Sequence, residues 1–428
     1  MDKINKAGKQ FSKSDYNSFE SVMNNREKIW KVLNRLKPVS LIAASTRPGV
    51  DFVHSLFDKH PQILTFDGWL LFHEFYYNSI SVFGTEKFIV GLSALETNKS
   101  VDKINIKNFF SEFAWTHLHK FDSRYDSLEK KNKLGPKKNE FNFIPIDQFV
   151  KYSVSLMADK EFNSRNALLA VYAAFSLAKG EDIMNKTILL HQAHLSEYVP
   201  PFAKDFPGLK VIACVRDPRV YATKVKNYNK NLSLSKTLII ASHSFFRLTI
   251  DGINELINIR NIDVRVNILE KLHKNPKKSL QSICDWLSID YNSVLMTSTW
   301  NGKNWLGDSL SKNIINIFDE GRYALSKKDW KKDLSLIDKI IIESLMKKEM
   351  ENYNYKREYS IGLWFFFVPL LIILPTKHEI KLFYQTIKEK KYILMITIFK
   401  IILLRYYFSY RKYINYFVRK KAVNNNVF

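Results

Sequence analysis

Cysteine is almost absent from this sequence of 428 residues, which contains only Cys214 and Cys284. The two residues lie far apart in sequence, inside the apolar runs KVIACV and SICDWL. Disulfide frameworks and thiolate metal sites need several cysteines at short spacing. Neither is therefore predicted, and we expect both thiols to be buried in the core. Histidine and cysteine form no cluster with the spacing of metal ligands, so no metal is predicted.

A secretory signal is also missing. The first 36 residues contain no continuous apolar stretch that could form the core of a signal peptide. We therefore expect a cytoplasmic catalytic domain to follow. Apolar residues recur at helical spacing from Ser14 to Leu36, and Pro38 ends the pattern. This spacing predicts an N-terminal helical segment over 1–36.

Acidic residues are few relative to basic ones. The chain has 66 Lys and Arg against 42 Asp and Glu, a formal net charge of +24. Such an excess favours anionic partners, which include nucleotides, nucleic acid, acidic glycans and lipid headgroups. Lysine is common along the whole chain, however, so part of the excess is compositional background. No groove-reading motif and no aromatic RNA-binding signature accompanies the charge, so nucleic acid is not a predicted partner.

Short apolar runs indicate a buried sheet. With 46% hydrophobic residues the chain can bury one large core or two modest ones. The uncharged run at 39–45 and the runs at 187–191, 209–215 and 264–270 are typical of buried strands. Helical patterns separate these runs, and strands that alternate with helices form parallel sheets. The predicted fold class is therefore α/β, with a parallel sheet flanked by helices.

A long segment between the first two of these strands has a helical pattern. Residues 63–180 are predicted to be mainly helical and to form the acceptor side of a central domain over 37–355. Within them, the polar segment 122–142 has the composition of a surface loop. Amphipathic patterns at 277–289 and 327–350 predict two further helices.

The C-terminal segment, 356–428, differs in composition. Residues 361–375 carry no charge, and 392–408 carry only Lys400 and Arg405. From residue 376 onward the chain has twelve Lys or Arg against two Glu, a local net charge of +10. A bilayer core needs about 20 apolar residues to be spanned, so an interfacial segment on an anionic membrane surface is the predicted arrangement. The alternative is a helical pair packed on the main core.

The loop after the first predicted strand has features of an anion site. It reads Thr46-Arg47-Pro48-Gly49 and leads into a predicted helix. The free N–H groups of a helix start attract anions, and the helix dipole adds to the attraction. Gly49 permits a tight turn, Arg47 can bind two oxygens, and Asp51 could cap the helix. No G-x-x-x-x-G-K-[ST] pattern occurs, so this is not a Walker loop.

A second cationic cluster follows the strand at 209–215. Arg216 stands directly at the end of this strand, where open α/β sheets bind ligands, and Arg219 and Lys224 follow within the next helical turns. A nucleotide 3′-phosphate would suit three converging cations. The alternative is a structural ion pair between Arg216 and Asp217.

Taken together, these motifs resemble the sulfotransferases that use 3′-phosphoadenosine 5′-phosphosulfate (PAPS), in particular their bacterial branch. AASTRPGVDFVHSLFDKHPQI is similar to the family's 5′-phosphosulfate loop and its following helix, and VIACVRDPRVYATK to its 3′-phosphate motif. Three later segments resemble the family's Asn-Pro helix, late glycine loop and closing helix: NILEKLHKNPKKSLQSICDWLSI, STWNGKNWLGDS and KKDWKKDLSLIDKIIIESLMKKEMENYNY. The resemblance spans roughly 37–355 and implies a sulfotransferase-like three-layer fold with a P-loop-like anion site.

The resemblance also implies roles for individual residues. It assigns Arg216 to the 3′-phosphate, and Lys224 is a further candidate for that phosphate. It also has Lys303 close over the nucleotide, for which the alternative is a solvated surface lysine. It assigns a continuous set of loop residues to the 5′-phosphosulfate: Arg47, Pro48, Gly49, Val50, Asp51 and Phe52. This chain lacks the hydroxyl residues that are usual in that loop, and a lysine replaces the serine expected eight residues after Arg216. The second hypothesis is therefore a catalytically degenerate protein of the same fold that binds a nucleotide or polyanion.

Catalysis would need a base for the acceptor proton and a cation for the leaving phosphate. Arg47 is the candidate for the cation. Histidine suits the base because it accepts a proton near neutral pH. His194-Leu195 resembles the family's catalytic His-Leu loop, and His191 is the fallback. The predicted function is sulfuryl transfer from PAPS to a hydroxyl of an unidentified acceptor, and a saccharide or lipid-linked glycan would fit a membrane-proximal enzyme. Trp300 and Trp305 are expected to pack in the interior.

Overall fold

The structure is a computed structural model that describes most of the central domain and parts of both ends. The described residues are 19–44, 48–68, 70–81, 105–119, 134–137, 140, 144–194, 196–220, 256, 261–305, 318, 330–332, 334, 336–359, 377–390, ten residues between 392 and 410, and 426–428. Arg47, Lys224 and the uncharged run 361–375 lie outside these ranges, as does the side chain of His194.

Six strands form one sheet in the order β2-β3-β1-β4-β5-β8, and every neighbouring pair is parallel. Two short antiparallel strands, β6 and β7, form a separate hairpin. The strands are β1 Lys37–Ala43, β2 Ile63–Thr65, β3 Ile188–His194, β4 Lys210–Val215, β5 Asp263–Ile268, β6 Thr299–Trp300, β7 Lys303–Asn304 and β8 Asn426–Val427. The four predicted strands are β1, β3, β4 and β5, and the predicted α/β class is confirmed.

Helices occupy most of the remaining described chain. They are α1 Phe19–Asn24, α2 Arg26–Leu33, α3 Val50–Phe57, α4 Phe72–Ser81, α5 Ile106–Phe113, α6 Ile146–Met157, α7 Ser164–Ala178, α8 Val199–Asp205, α9 Leu269–Lys274, α10 Pro276–Leu287, α11 Leu336–Leu345, α12 Lys347–Asn352 and α13 Lys377–Lys388. The helix expected after Gly49 is α3, and the helix expected over 277–289 is α10. The helical stretch expected over 327–350 contains α11 and the start of α12, which Met346 separates.

The alternation of side chains along β1 explains the three layers. Val39 and Leu41 are fully buried in a core that α3 and α10 complete on one face of the sheet. Ile42 points to the other face, where α2, α5, α6 and α7 supply the larger core. Successive residues of a strand face opposite sides, and a parallel sheet covered on both faces therefore carries apolar residues throughout.

The structure adds details that the sequence pattern does not show. The helix expected over 14–36 is two helices, because Asn25 leaves the helical region with φ −103° and ψ 7°. The segment 63–180 also contains a strand, β2, which pairs with β3. Residues 426–428, assigned to the basic tail, instead complete the sheet. There the Phe428 N–H donates to the Val266 carbonyl at 3.2 Å, and the Phe428 ring lies 5.3 Å from the Trp286 ring.

Both cysteines are buried and free, as the sequence predicts. Cys214 lies in β4 and Cys284 in α10, and burial raises the pKa of each thiol to about 12. A thiol with so high a pKa stays protonated near neutrality and is a poor nucleophile. Both residues are therefore packing residues of the core.

Residues 336–359 are tied to the turn after β4 by a buried charge cluster. Arg219 Nη1 donates to Glu343 Oε1 at 2.8 Å and to the Lys356 carbonyl at 2.9 Å. Glu343 Oε2 also accepts the backbone N–H groups of Glu358 and Tyr359. The Glu343 side chain is fully buried, so this cluster fixes the C-terminal end of the domain against the sheet.

Candidate functional site

The register of the sheet brings the ends of three strands to one edge. Ile42 of β1 pairs with His194 of β3, and Ala43 pairs with Cys214 of β4. Just beyond, the Ala44 N–H donates to the Cys214 carbonyl at 2.9 Å. Strand β1 lies between β3 and β4, which follow one another in the chain, so the connection crosses over β1. Such a switch point at the carboxyl edge is where open α/β sheets bind ligands.

Gly49 forms the start of α3 at this edge. Its backbone is left-handed, with φ +82° and ψ +30°, and its carbonyl accepts the Val53 N–H at 2.9 Å. A Cβ at this position would lie 2.8 Å from Leu269 Cδ1. Glycine is required here both by the backbone angle and by the buried leucine beneath it. The bare backbone leaves the helix start open to an approaching anion.

Replacing Gly49 by alanine is expected to reduce the free energy of unfolding by two separable amounts. The left-handed angle costs about 1–2 kcal/mol for any residue with a Cβ. The contact with buried Leu269 adds about 1–3 kcal/mol of overpacking. Gly208→Ala is the matched control, because Gly208 has φ +77° but open space around its Cβ position.

The measurement is urea unfolding of both variants and of Gly49→Ala combined with Leu269→Ala. The control should show only the angle cost. In a double-mutant cycle, Leu269→Ala should remove the additional loss. Equal losses for Gly49→Ala and Gly208→Ala would contradict the close packing of Gly49 on Leu269.

Asp51 does not cap α3 as the sequence suggested. The N-cap is Gly49, and Asp51 is the second residue of the helix. Asp51 Oδ1 instead accepts a hydrogen bond from Gln192 Nε2 at 2.6 Å. Gln192 is fully buried in β3, so the bond ties the first turn of α3 to the sheet. The sequence gives no signal for this pair, because its members are 141 residues apart.

Arg216 follows β4 directly and is half-buried. Its Nε is buried and has no hydrogen-bond partner among the described residues. Burial lowers the pKa of Arg216, and the nearby charge of Glu270 opposes that shift. Glu270 is already engaged: its Oε1 accepts the Asp217 N–H at 3.0 Å and its Oε2 the Tyr355 hydroxyl at 2.8 Å. A buried guanidinium N–H without an acceptor lowers the stability of the fold, and a bound anion can supply the missing acceptor.

The alternative ion pair between Arg216 and Asp217 is not formed. Asp217 binds Arg219 through two bonds, from Nε to Oδ1 at 3.0 Å and from Nη2 to Oδ2 at 2.8 Å. Arg219 is buried and also lies over the Trp330 ring, 4.2 Å from its centroid. Of the three cations that the sequence brings together, Arg219 is therefore structural, whereas the Nε of Arg216 has no partner in the part of the chain that the structure describes. Lys224 lies outside the described residues.

The two candidate bases occupy different environments. His191 is buried, its Nδ1 is hydrogen-bonded to the Tyr172 hydroxyl at 2.9 Å, and its ring stacks on Phe202 at 4.5 Å. Burial holds the pKa of His191 well below its usual value, and the nearby His73 lowers it further. These contacts suit a neutral core residue rather than a base that meets an acceptor. His194 is the last residue of β3, at the carboxyl edge.

Lys303 lies on the hairpin formed by β6 and β7. Its Nζ is 3.6 Å from Glu140 Oε2, so it has an acidic neighbour from the insertion. The turn of the hairpin is held to the end of α3, where Asp58 Oδ2 accepts the Gly302 N–H at 2.7 Å. The late glycine loop is thus anchored beside α3 through Gly302. Lys303 of the same loop contacts the insertion through Glu140.

Aromatic side chains surround the start of α3. The Phe52 ring stacks on His273 at 4.9 Å and meets Phe318 edge-on at 5.7 Å. Trp300 and Trp305 are buried against each other at 5.4 Å, which confirms that both pack in the interior. Phe52, which the resemblance assigns to the phosphosulfate loop, therefore lies in an aromatic cluster with His273 and Phe318.

Within the described parts of the chain, no group of three or more His, Cys, Asp or Glu side chains could hold a metal ion. The donors at the edge are instead nitrogen groups, namely the Arg216 guanidinium and the start of α3. Nitrogen donors of this kind bind phosphate and sulfate oxygens.

Comparison with solved structures finds a likeness to the sulfotransferase domain of the olefin synthase from Synechococcus PCC 7002. The sequence identity is 14%, the TM-score is 0.37, and the match covers 75% of this chain and 96% of that domain. No family model and no curated protein matches the chain. Any function proposed for this chain must therefore rest on its own residues and their geometry.

Proposed function

We propose that the protein binds PAPS at the carboxyl edge of the sheet and transfers the sulfuryl group to a hydroxyl acceptor. The observation that carries the proposal is the buried Nε of Arg216, which has no hydrogen-bond partner among the described residues and follows β4, the strand that pairs with β1. The order of the five motifs along the chain supports the same assignment.

Two anion positions follow from this arrangement. Arg216 binds the 3′-phosphate, because a guanidinium is suited to phosphate oxygens and its Nε is not engaged by any described residue. The start of α3 at Gly49, together with Arg47, binds the 5′-phosphosulfate, because the bare backbone and the helix dipole both favour an anion there. The Gln192 amide engages the Asp51 carboxylate on the side of the sheet, which limits the repulsion between Asp51 and the bound nucleotide.

The chemistry is a displacement at sulfur, for which the nucleotide supplies an activated sulfuryl group. The acceptor oxygen forms a new bond to sulfur while the bond from sulfur to the phosphate oxygen breaks. His194 takes the proton of the acceptor hydroxyl, and Arg47 neutralises the negative charge that develops on the leaving phosphate. The products are a sulfate ester and 3′-phosphoadenosine 5′-phosphate.

Replacing His194 by alanine is expected to lower kcat by about 10²–10⁴-fold, the usual effect of losing a general base. Affinity for 3′-phosphoadenosine 5′-phosphate should stay unchanged, because His194 is assigned to the acceptor and not to the nucleotide. The measurement is release of that nucleotide from PAPS in the presence of a panel of hydroxyl acceptors, as a function of pH. The acidic limb of the profile, where protonation of the base stops catalysis, should vanish in the variant.

A non-catalytic nucleotide-binding protein is the second candidate. The observation that favours it is the carboxylate of Asp51 in the first turn of α3, where sulfotransferase loops usually carry a hydroxyl. Binding of PAPS without turnover on any acceptor would support this second function. Turnover that depends on His194 would exclude it.

A further inference from the structure

Exposed apolar side chains are concentrated near the C-terminal end of the chain. Among the described residues, 14 large apolar side chains are exposed, and ten of these lie between 380 and 410. The other four, Trp115, Met184, Met296 and Leu336, lie scattered over the domain. Single exposed apolar residues are ordinary, whereas a cluster of them marks an interaction surface.

In α13 the exposed residues form a continuous stripe. Ile380, Phe383, Tyr384 and Ile387 are 42–67% exposed and recur at intervals of three, four and seven residues. Residues with this spacing share one face of a helix. Thr386, on another side, is fully buried. A helix that packs on a domain normally buries its apolar face, so α13 has the opposite orientation.

The described residues between 392 and 410 repeat this arrangement. They are helical where described, and Tyr392, Ile396, Phe399 and Leu403 are 50–61% exposed. Their intervals of four, three and four residues again place them on one face. Ile398 is buried instead. We name these four residues and the four of α13 together the apolar face, which consists of one stripe in each of the two segments.

Lysines flank the apolar face in sequence and, among the described residues there, outnumber the one exposed acidic residue, Glu389. Lys388, Lys390 and Lys400 are exposed close to it in sequence, and the chain from 376 onward has a net charge of +10. A second copy of this chain would bring like charges together across a symmetric contact. An anionic bilayer instead has negative headgroups directly above its apolar chains. The apolar side chains of such a helix can contact the lipid chains while the neighbouring lysines bind the headgroups.

No helix of the described residues is long and apolar enough to cross a bilayer. We infer that the apolar face docks in the headgroup region of an anionic lipid bilayer, with Phe383 and Phe399 inserted and Lys388, Lys390 and Lys400 bound to headgroups. The segment is anchored to the domain at both ends, through Glu343 before it and β8 after it. Docking therefore brings the whole domain to the lipid surface.

The test is co-sedimentation of the full chain with vesicles, either of phosphatidylcholine alone or of an equimolar mixture with phosphatidylglycerol. We expect binding to the mixed vesicles to be at least about tenfold stronger, and to weaken with added salt, since headgroup attraction is screened. Phe383→Glu combined with Phe399→Glu should lower binding to the mixed vesicles by at least about tenfold, because the inserted surface is lost. Met184→Glu combined with Leu336→Glu, which changes two exposed apolar residues elsewhere, should leave binding unchanged.

Absence of binding by the unaltered full chain to mixed vesicles would overturn the inference, whatever the behaviour of the variants. Equal losses in the two double variants would also overturn it. Sedimentation velocity without lipid tests whether a second copy of the chain binds the apolar face instead. A dimer that becomes a monomer when Phe383 and Phe399 are substituted, in a protein that does not bind vesicles, would assign the apolar face to self-association and overturn the inference.

Discussion

Arg216→Ala is expected to weaken binding of 3′-phosphoadenosine 5′-phosphate by about 100-fold, the effect of losing a charge-assisted contact in a half-buried site. The guanidinium has a buried Nε without a partner among the described residues, and Glu270 is engaged by Asp217 and Tyr355. A phosphate would therefore supply the acceptor that this donor lacks, although the nearby charge of Glu270 offsets part of the positive charge of Arg216. Adenosine 5′-phosphosulfate, which lacks the 3′-phosphate, should bind the variant and the unaltered protein equally well.

Arg265→Ala is the matched control for this prediction. Arg265 also has a buried Nε without a partner among the described residues. It is the third residue of β5, however, and lies over the Trp286 ring away from the carboxyl edge. Its loss should leave nucleotide affinity unchanged in calorimetric titrations. Weaker binding of both nucleotides in Arg216→Ala would indicate that Arg216 does not read the 3′-phosphate.

Glu343→Gln is expected to lower the free energy of unfolding by about 2 kcal/mol, because a buried carboxylate that accepts several hydrogen bonds becomes a neutral amide, while Arg219 keeps its pair with Asp217. Glu343 is fully buried and accepts three hydrogen bonds, from Arg219 Nη1 and from the N–H groups of Glu358 and Tyr359. The amide keeps the shape of the side chain but presents an NH₂ group where donors already point. The change therefore loses charge and creates a clash of donors.

Glu351→Gln is the control with the same chemical change. Glu351 Oε1 lies 3.0 Å from Arg357 Nη2, but its side chain is about half exposed, 49%. Exposed pairs contribute at most about 1 kcal/mol. Urea unfolding should therefore separate the two variants clearly. Similar midpoints for both would show that the Glu343 cluster does not hold the C-terminal helices to the domain.

The sheet could be predicted because its strands are short, apolar and separated by helical patterns. β1 and β4 are buried over most of their length, so each is largely a run of apolar residues that the sequence displays directly. β3 begins with the apolar run Ile188–Leu190, and β5 alternates apolar with polar residues. β2 and β8 have only three and two residues and carry no such pattern. Their pairing depends on tertiary contacts, which a single sequence does not display.

The sequence predicted where residues of the candidate site lie relative to the strand ends, but not which hydrogen-bond partners they have. Arg216 and Gly49 were found because a strand end fixes where each one stands. Asp217 pairs with Arg219 rather than with Arg216. Arg219 is also held by Glu343, which lies more than 120 residues away in sequence, so the sequence near Asp217 does not show this pairing. The bond between Asp51 and Gln192 likewise joins residues that only the parallel pairing of β1 and β3 brings near each other.

The central claim is that the carboxyl edge of this sheet is a PAPS site. The most direct measurement is calorimetric titration of the full chain with 3′-phosphoadenosine 5′-phosphate, repeated with Arg47→Ala. Binding in the micromolar range, about −8 kcal/mol, that is lost in the variant is the result expected. A folded protein that binds none of this nucleotide would contradict the assignment.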